Sequence, residues 1–97
     1  MMIIRLFQVT INSELRSDFE RDFKSISVHT VQNCKGLISC DILGPTKWNR
    51  DDYLMITKWE NEESLIEFVG ENWNEAVIPD DMKKYAKSFS VSHYKDL

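Results

Sequence analysis

The chain has 97 residues, 42% of them hydrophobic, with three Gly, two Pro and two Cys, which suits one folded domain over residues 1–97 and excludes a low-complexity or disordered polypeptide. Sixteen acidic against twelve basic residues leave a net charge of −4, and the mild basic cluster of Lys83, Lys84 and Lys87 is too sparse to hold a phosphate backbone, so no nucleic acid is expected as a partner. No apolar run reaches the roughly 18 residues of a membrane span, and the opening MMIIRLFQVTI lacks the basic region, apolar block and cleavage site of a signal peptide, so a cytoplasmic protein with no membrane partner is expected.

Residues 2–11 mix Ile, Leu, Phe, Val and Thr and predict a first strand with large apolar residues on both alternating registers. Asn12 and Ser13 offer side-chain oxygens to cap a helix, whose apolar stripe is Leu15, Phe19, Phe23, Ile26 and Thr30, spaced by three or four. Gly36 supplies a left-handed stop, so that helix ends near Asn33 and residues 37–43 run out as a second strand closed by Gly44 and Pro45. The polar residues 46–52, with Trp48 among them, form a hairpin loop into a third strand over 53–60. Asn61, followed by Glu62 and Glu63, places an oxygen cap and two negative charges at the start of a second helix. Leu65, Phe68 and Val69 set its buried stripe, and Gly70 with the stretch ENWNE weakens or bends it before a turn at Pro79. A short helical turn holds Met82 and Tyr85. Residues 88–94 then alternate Phe89/Val91/His93 against Ser88/Ser90/Ser92/Tyr94 as the last strand.

Strand, helix, strand, strand, helix, strand is the split order of an α+β ferredoxin-like fold, βαββαβ, with both helices on one face of an antiparallel four-stranded sheet. The third strand is apolar on both registers, Tyr53/Met55/Thr57/Trp59 and Leu54/Ile56, so one set lacks cover whichever way it faces. Leaving three such side chains wet forgoes about 5 kcal/mol. A homodimer joined through the bare sheet face removes that liability. Cys34 and Cys40 make neither a CxxC nor a zinc half-site and are expected as reduced, partly buried thiols. With no paired carboxylates, no Ser-His-Asp order, no phosphate loop and no ligand cluster, neither a metal nor a cofactor is predicted.

The stretch YLMITKWENEESLIEF, residues 53–68, joins a strand running from Tyr53 to Trp59, a polar Glu60-Asn61 turn and an acidic Glu62-Glu63-Ser64 helix start. Together with Gly36 ahead of the second strand, it resembles the antibiotic biosynthesis monooxygenase family along nearly the whole chain. The resemblance implies a dimeric α/β barrel of two ferredoxin-like subunits. It also implies a cofactor-independent monooxygenase acting on a small aromatic substrate of the phenol or quinol type, although the family includes haem-degrading enzymes and proteins without a known reaction. The haem-degrading branch uses an Asn on the first strand and a Trp and a His on the second helix. The matching positions here are Phe7, Phe68 and about Ile78, so haem degradation is not expected.

Candidate site residues each carry an alternative. His93 is able to exchange protons near neutrality and is the first choice for a general base; otherwise it is a half-exposed packing residue. Tyr53 and Trp59, in one register, either line an aromatic pocket or fill core. Asn72 and Trp73 lie where the second helix loses regularity and either orient a substrate oxygen or cap a helix end. Arg5 either pairs with a substrate anion or bridges to an acidic residue across the sheet. A non-enzymatic small-molecule binder or sensor on the same dimer is the alternative to catalysis.

Overall fold

In the computed structural model, which describes Met1–Leu97, the chain runs through β1 (Ile3–Ile11), a 3₁₀ turn (Ser13–Leu15), α1 (Arg16–Asp22), a π-helical turn (Phe23–Ser27) and α2 (Val28–Gln32). It continues as β2 (Leu37–Leu43), β3 (Asp52–Trp59), α3 (Glu62–Val69), a second 3₁₀ turn (Asp80–Tyr85) and β4 (Ala86–Lys95). The sheet order is β2-β3-β1-β4, with every neighbouring pair antiparallel. This is the ferredoxin-like α+β fold.

The local signals act where they stand in the sequence. Asn12 Oδ1 accepts the Glu14 N–H at 3.3 Å, and Asn61 Oδ1 accepts the Ser64 N–H at 2.9 Å, so each caps the turn that follows it. Gly36 has φ +85°, and a Cβ there would lie 2.1 Å from Ser64 Oγ. Glycine at this point therefore serves both the left-handed turn and the close approach of α3. The first helix departs from the expected continuous one, because the π turn inserts extra chain between α1 and α2. Val31 is consequently buried in its last turn, while the predicted Thr30 is only half-buried.

The two sheet faces differ sharply. Ile3, Arg5, Val9 and Ile11 of β1, with Tyr53, Met55, Thr57 and Trp59 of β3, are buried beneath the helices. On the opposite face Leu6 stands beside Ile56 and Gln8 beside Leu54, and Ile4, Leu6, Leu54 and Ile56 are only half-buried. No element of the chain covers them. The core itself is divided: Val9, Ile11, Phe19, Phe23, Val31, Tyr53, Met55, Met82 and Tyr85 form one cluster, and Ile3, Trp59 and Leu65 form another. Along β1, Arg5 and Phe7 occupy the inward positions between the two.

Candidate functional site

A polar row crosses the sheet at that division. Thr57 on β3 and His93 on β4 are the register partners of Arg5 on β1, so all three project toward the helices. Arg5 is 4% exposed and Thr57 is 3% exposed. Arg5 Nη1 donates to the Trp73 carbonyl at 2.7 Å and to His93 Nε2 at 2.8 Å, and Nη2 donates to the Glu75 carbonyl at 2.8 Å. Since a guanidinium only donates, His93 Nε2 accepts, which assigns a neutral imidazole with its proton on Nδ1. Burial, and secondarily the Arg5 cation, hold His93 below its ordinary range. Burial also lowers Arg5, yet a guanidinium stays protonated. Its bonds to Trp73 and Glu75 tie the segment after α3 down onto the sheet.

Beside this row lies a cavity of about 50 Å³, with eleven hydrophobic residues among its sixteen lining residues. Its floor is Arg5, Phe7, Val9, Met55 and Thr57, and its roof is Phe19, Phe23, Ser27, Thr30 and Val31. Phe68, Val77, Ile78, Pro79, Met82 and Ala86 close the sides. The π turn contributes Phe23 and Ser27, and such turns often accompany functional sites. The space holds a few waters, since one needs roughly 10–15 Å³. Admitting an aromatic ring therefore requires the walls to yield, and the thioether side chains of Met55 and Met82 are suited to that. Thr57 Oγ1 accepts the Trp59 indole N–H at 2.9 Å, which leaves the threonine proton available to an acceptor.

The sequence-predicted residues fall into three places. Trp59 is completely buried, stacked on Phe68 at 5.3 Å with 19° between the rings, and it packs as core beside the cavity without lining it. Tyr53 lies at the far end of the same register, where its hydroxyl donates to Glu20 Oε2 at 2.5 Å and accepts an N–H of Arg16 at 3.0 Å. Burial, then the Glu20 carboxylate, raises that phenol. Asn72 is exposed and donates to Glu75 Oε1 at 2.9 Å. The Trp73 ring meets the His93 ring edge-on at 4.7 Å. Asn72, Trp73 and His93 thus come together around an open outer depression with Glu71 and Asn74, away from Tyr53, while Trp73 also packs against the cluster of Ile3, Trp59 and Leu65. None of the five lines the cavity. Arg5 is the link: it lines the cavity and bonds to His93.

Thr57 was not singled out from the sequence. The available signal is that Arg5 and Thr57 are the polar interruptions of two otherwise apolar or aromatic inward registers. Cys34 and Cys40 are free and half-buried, with both thiols raised by burial. No three His, Cys, Asp or Glu residues converge as a metal site, and no helix is long and apolar enough to cross a membrane. Phe7, Phe68 and Ile78, the positions compared above with the haem-degrading branch, all line the cavity. Its wall offers iron no imidazole, thiolate or phenolate, only the Met55 and Met82 thioethers, and a space of about 50 Å³ is far too small for the macrocycle, so the residues present do not fit a haem site.

Residues 2–88 match the family described as antibiotic biosynthesis monooxygenase. No curated protein matches the sequence. Among solved structures, a conserved protein from Methanosarcina mazei Go1 is 17% identical, with a TM-score of 0.76 over 100% of this chain and 94% of that one. SnoaB from Streptomyces nogalater, a cofactor-independent oxygenase, is 9% identical, with a TM-score of 0.75 over 98% of this chain and 92% of that one. A heme-degrading protein from Mycobacterium tuberculosis is 18% identical, with a TM-score of 0.67 over 98% of this chain and 93% of that one. At these identities the likeness is one of fold.

Proposed function

Because the chain belongs to the antibiotic biosynthesis monooxygenase family, we propose that it is a cofactor-independent monooxygenase whose small aromatic substrate, of the phenol or quinol type, enters the cavity between sheet and helices. The observation that carries this reading is the mostly apolar chamber between sheet and helices with Arg5 and Thr57 in its floor, the usual make-up of a small-molecule site. In such chemistry the substrate anion passes electrons to dioxygen, and the protein holds the ring, takes a proton and excludes water. Phe7, Met55 and Phe68 would hold the ring. His93 is the proposed base; its ring stands behind Arg5, outside the cavity wall. Asn72 and Trp73 then stand on the outer side of that pair. Two copies would join through the uncovered face around Leu6, Leu54 and Ile56, burying what the helices leave bare.

A second reading, binding without turnover, is favoured by one observation: no carboxylate, imidazole or phenol lines the cavity. Oxygen uptake with a panel of quinols and anthrones, measured beside thermal stabilisation by the same compounds, separates the two. The first reading expects uptake that is lost when Val31→Trp fills the chamber. Stabilisation without uptake supports the second, and the absence of both overturns the assignment of the cavity as a ligand site.

A further inference from the structure

Arg5 is a buried cation to which the chain gives no counter-charge. The other clamped basic residues meet carboxylates: Arg16 pairs with Asp51, Arg21 with Asp18 and Asp22, and Lys83 with Asp80. Arg5, at 4% exposure, meets two backbone carbonyls and a neutral imidazole. With sixteen acidic residues in the sequence and none at this position, the pairing is left open where a burial cost demands one.

The donor count points the same way. A guanidinium has five N–H groups, and three are engaged by Trp73, His93 and Glu75, which leaves the Nε–H and one Nη2–H. No fully buried side-chain nitrogen or oxygen lacks a partner, so the unbonded Nε borders open space, and Arg5 lines the cavity. An arginine serving only to tie down the segment after α3 would spend its donors on carbonyls and be complete. The cross-strand neighbour Thr57, 3% exposed, adds a third donor, because its oxygen already accepts from Trp59 and its proton has no acceptor. One end of a mostly apolar chamber thus presents the Arg5 and Thr57 donors and about one positive charge, with only the Ser27 and Thr30 hydroxyls of the roof as further polar groups and no carboxylate.

We propose that the ligand of this cavity is a small aromatic carboxylate, its two oxygens taken by the free Nε–H and Nη2–H of Arg5 and by the Thr57 hydroxyl, with its ring between Phe7 and Phe68. This rests on the reading that the cavity is the ligand site. A single phenolate oxygen would use fewer of the three donors, whereas a carboxylate engages adjacent guanidinium nitrogens side-on.

Calorimetric titration with benzoate and with its uncharged isostere benzamide tests the idea on the wild type, Arg5→Met, Arg5→Lys and Thr57→Val. The wild type binds benzoate at least about tenfold more tightly than benzamide. That preference disappears in Arg5→Met, survives in part in Arg5→Lys and falls several-fold in Thr57→Val. If Arg5→Met fails to fold, the other two variants carry the test. Equal binding of the two probes by the wild type overturns the anion site and leaves the cavity reading standing. A benzoate preference untouched by Arg5→Lys and Thr57→Val places the anion elsewhere and overturns it too. Binding of neither probe removes both this proposal and the cavity reading beneath it.

Discussion

Phe68→Ala probes the cavity wall and the core with one substitution. Phe68 is half-buried, stacks on the fully buried Trp59 and closes one side of the chamber. A completely buried Phe→Ala change costs about 3–5 kcal/mol, and the partial exposure of Phe68 brings the expected loss to about 2–3 kcal/mol. In a domain of this size that lowers Tm by roughly 10–20 °C. The lost ring also enlarges the chamber, so toluene, which has no polar group to engage Arg5, should refill it. At a hundredfold excess over its Kd, a ligand returns about 2.7 kcal/mol. Thermal melts with and without toluene measure both effects, with Trp48→Ala, at an 81% exposed position, as the control that moves stability by no more than about 0.5 kcal/mol. A Phe68→Ala loss below about 1 kcal/mol, with no toluene rescue, would refute the view that this ring separates core from cavity.

Replacing both Leu6 and Ile56, which stand side by side on the uncovered sheet face, with Lys should convert a dimer to a folded monomer in light scattering; a wild type already monomeric at micromolar concentration contradicts the proposed assembly. The pH dependence follows from His93, whose folded-state value lies below the ordinary 6.5. The unfolded chain then binds more protons than the folded one as pH falls through 6.5, so stability drops over that window and levels off below the folded value. His93→Gln should flatten this part of a denaturation series, and an unchanged slope would mean that burial and the Arg5 cation do not hold the ring neutral. Haemin titration should give no stoichiometric, saturable Soret shift, since the cavity wall supplies no imidazole, thiolate or phenolate and its volume of about 50 Å³ cannot admit the macrocycle; a sharp shift at one equivalent would overturn that reading.

Much of the fold was legible because its signals are local. Asn61 followed by two glutamates, Gly36 ahead of β2 and the alternation of β1 and β3 each have one physical meaning, and together they left few arrangements open. The π turn was not legible, since Phe19, Phe23, Ile26 and Thr30 fit an uninterrupted helix equally well. The site was harder to read. Alternation told that Tyr53, Met55, Thr57 and Trp59 share a face, but not which of them the helices plug and which they leave beside a void. Trp59 is plugged by Phe68, whereas Thr57 borders open space beneath short residues such as Ser27 and Thr30. Val77 and Ile78 reach the cavity from an aperiodic segment that Arg5 ties to the sheet, a long-range bond with no trace in spacing.

The Arg5 Nε–H signal, followed by nitrogen-resolved NMR during a benzoate titration, tests the assignment of the cavity and its cation as the ligand site most directly. The expected result is a downfield movement that saturates together with shifts at the Thr57 and Val31 amides. An unmoved Arg5 signal, with the perturbed residues gathered instead on the uncovered face around Leu6 and Ile56, would contradict it.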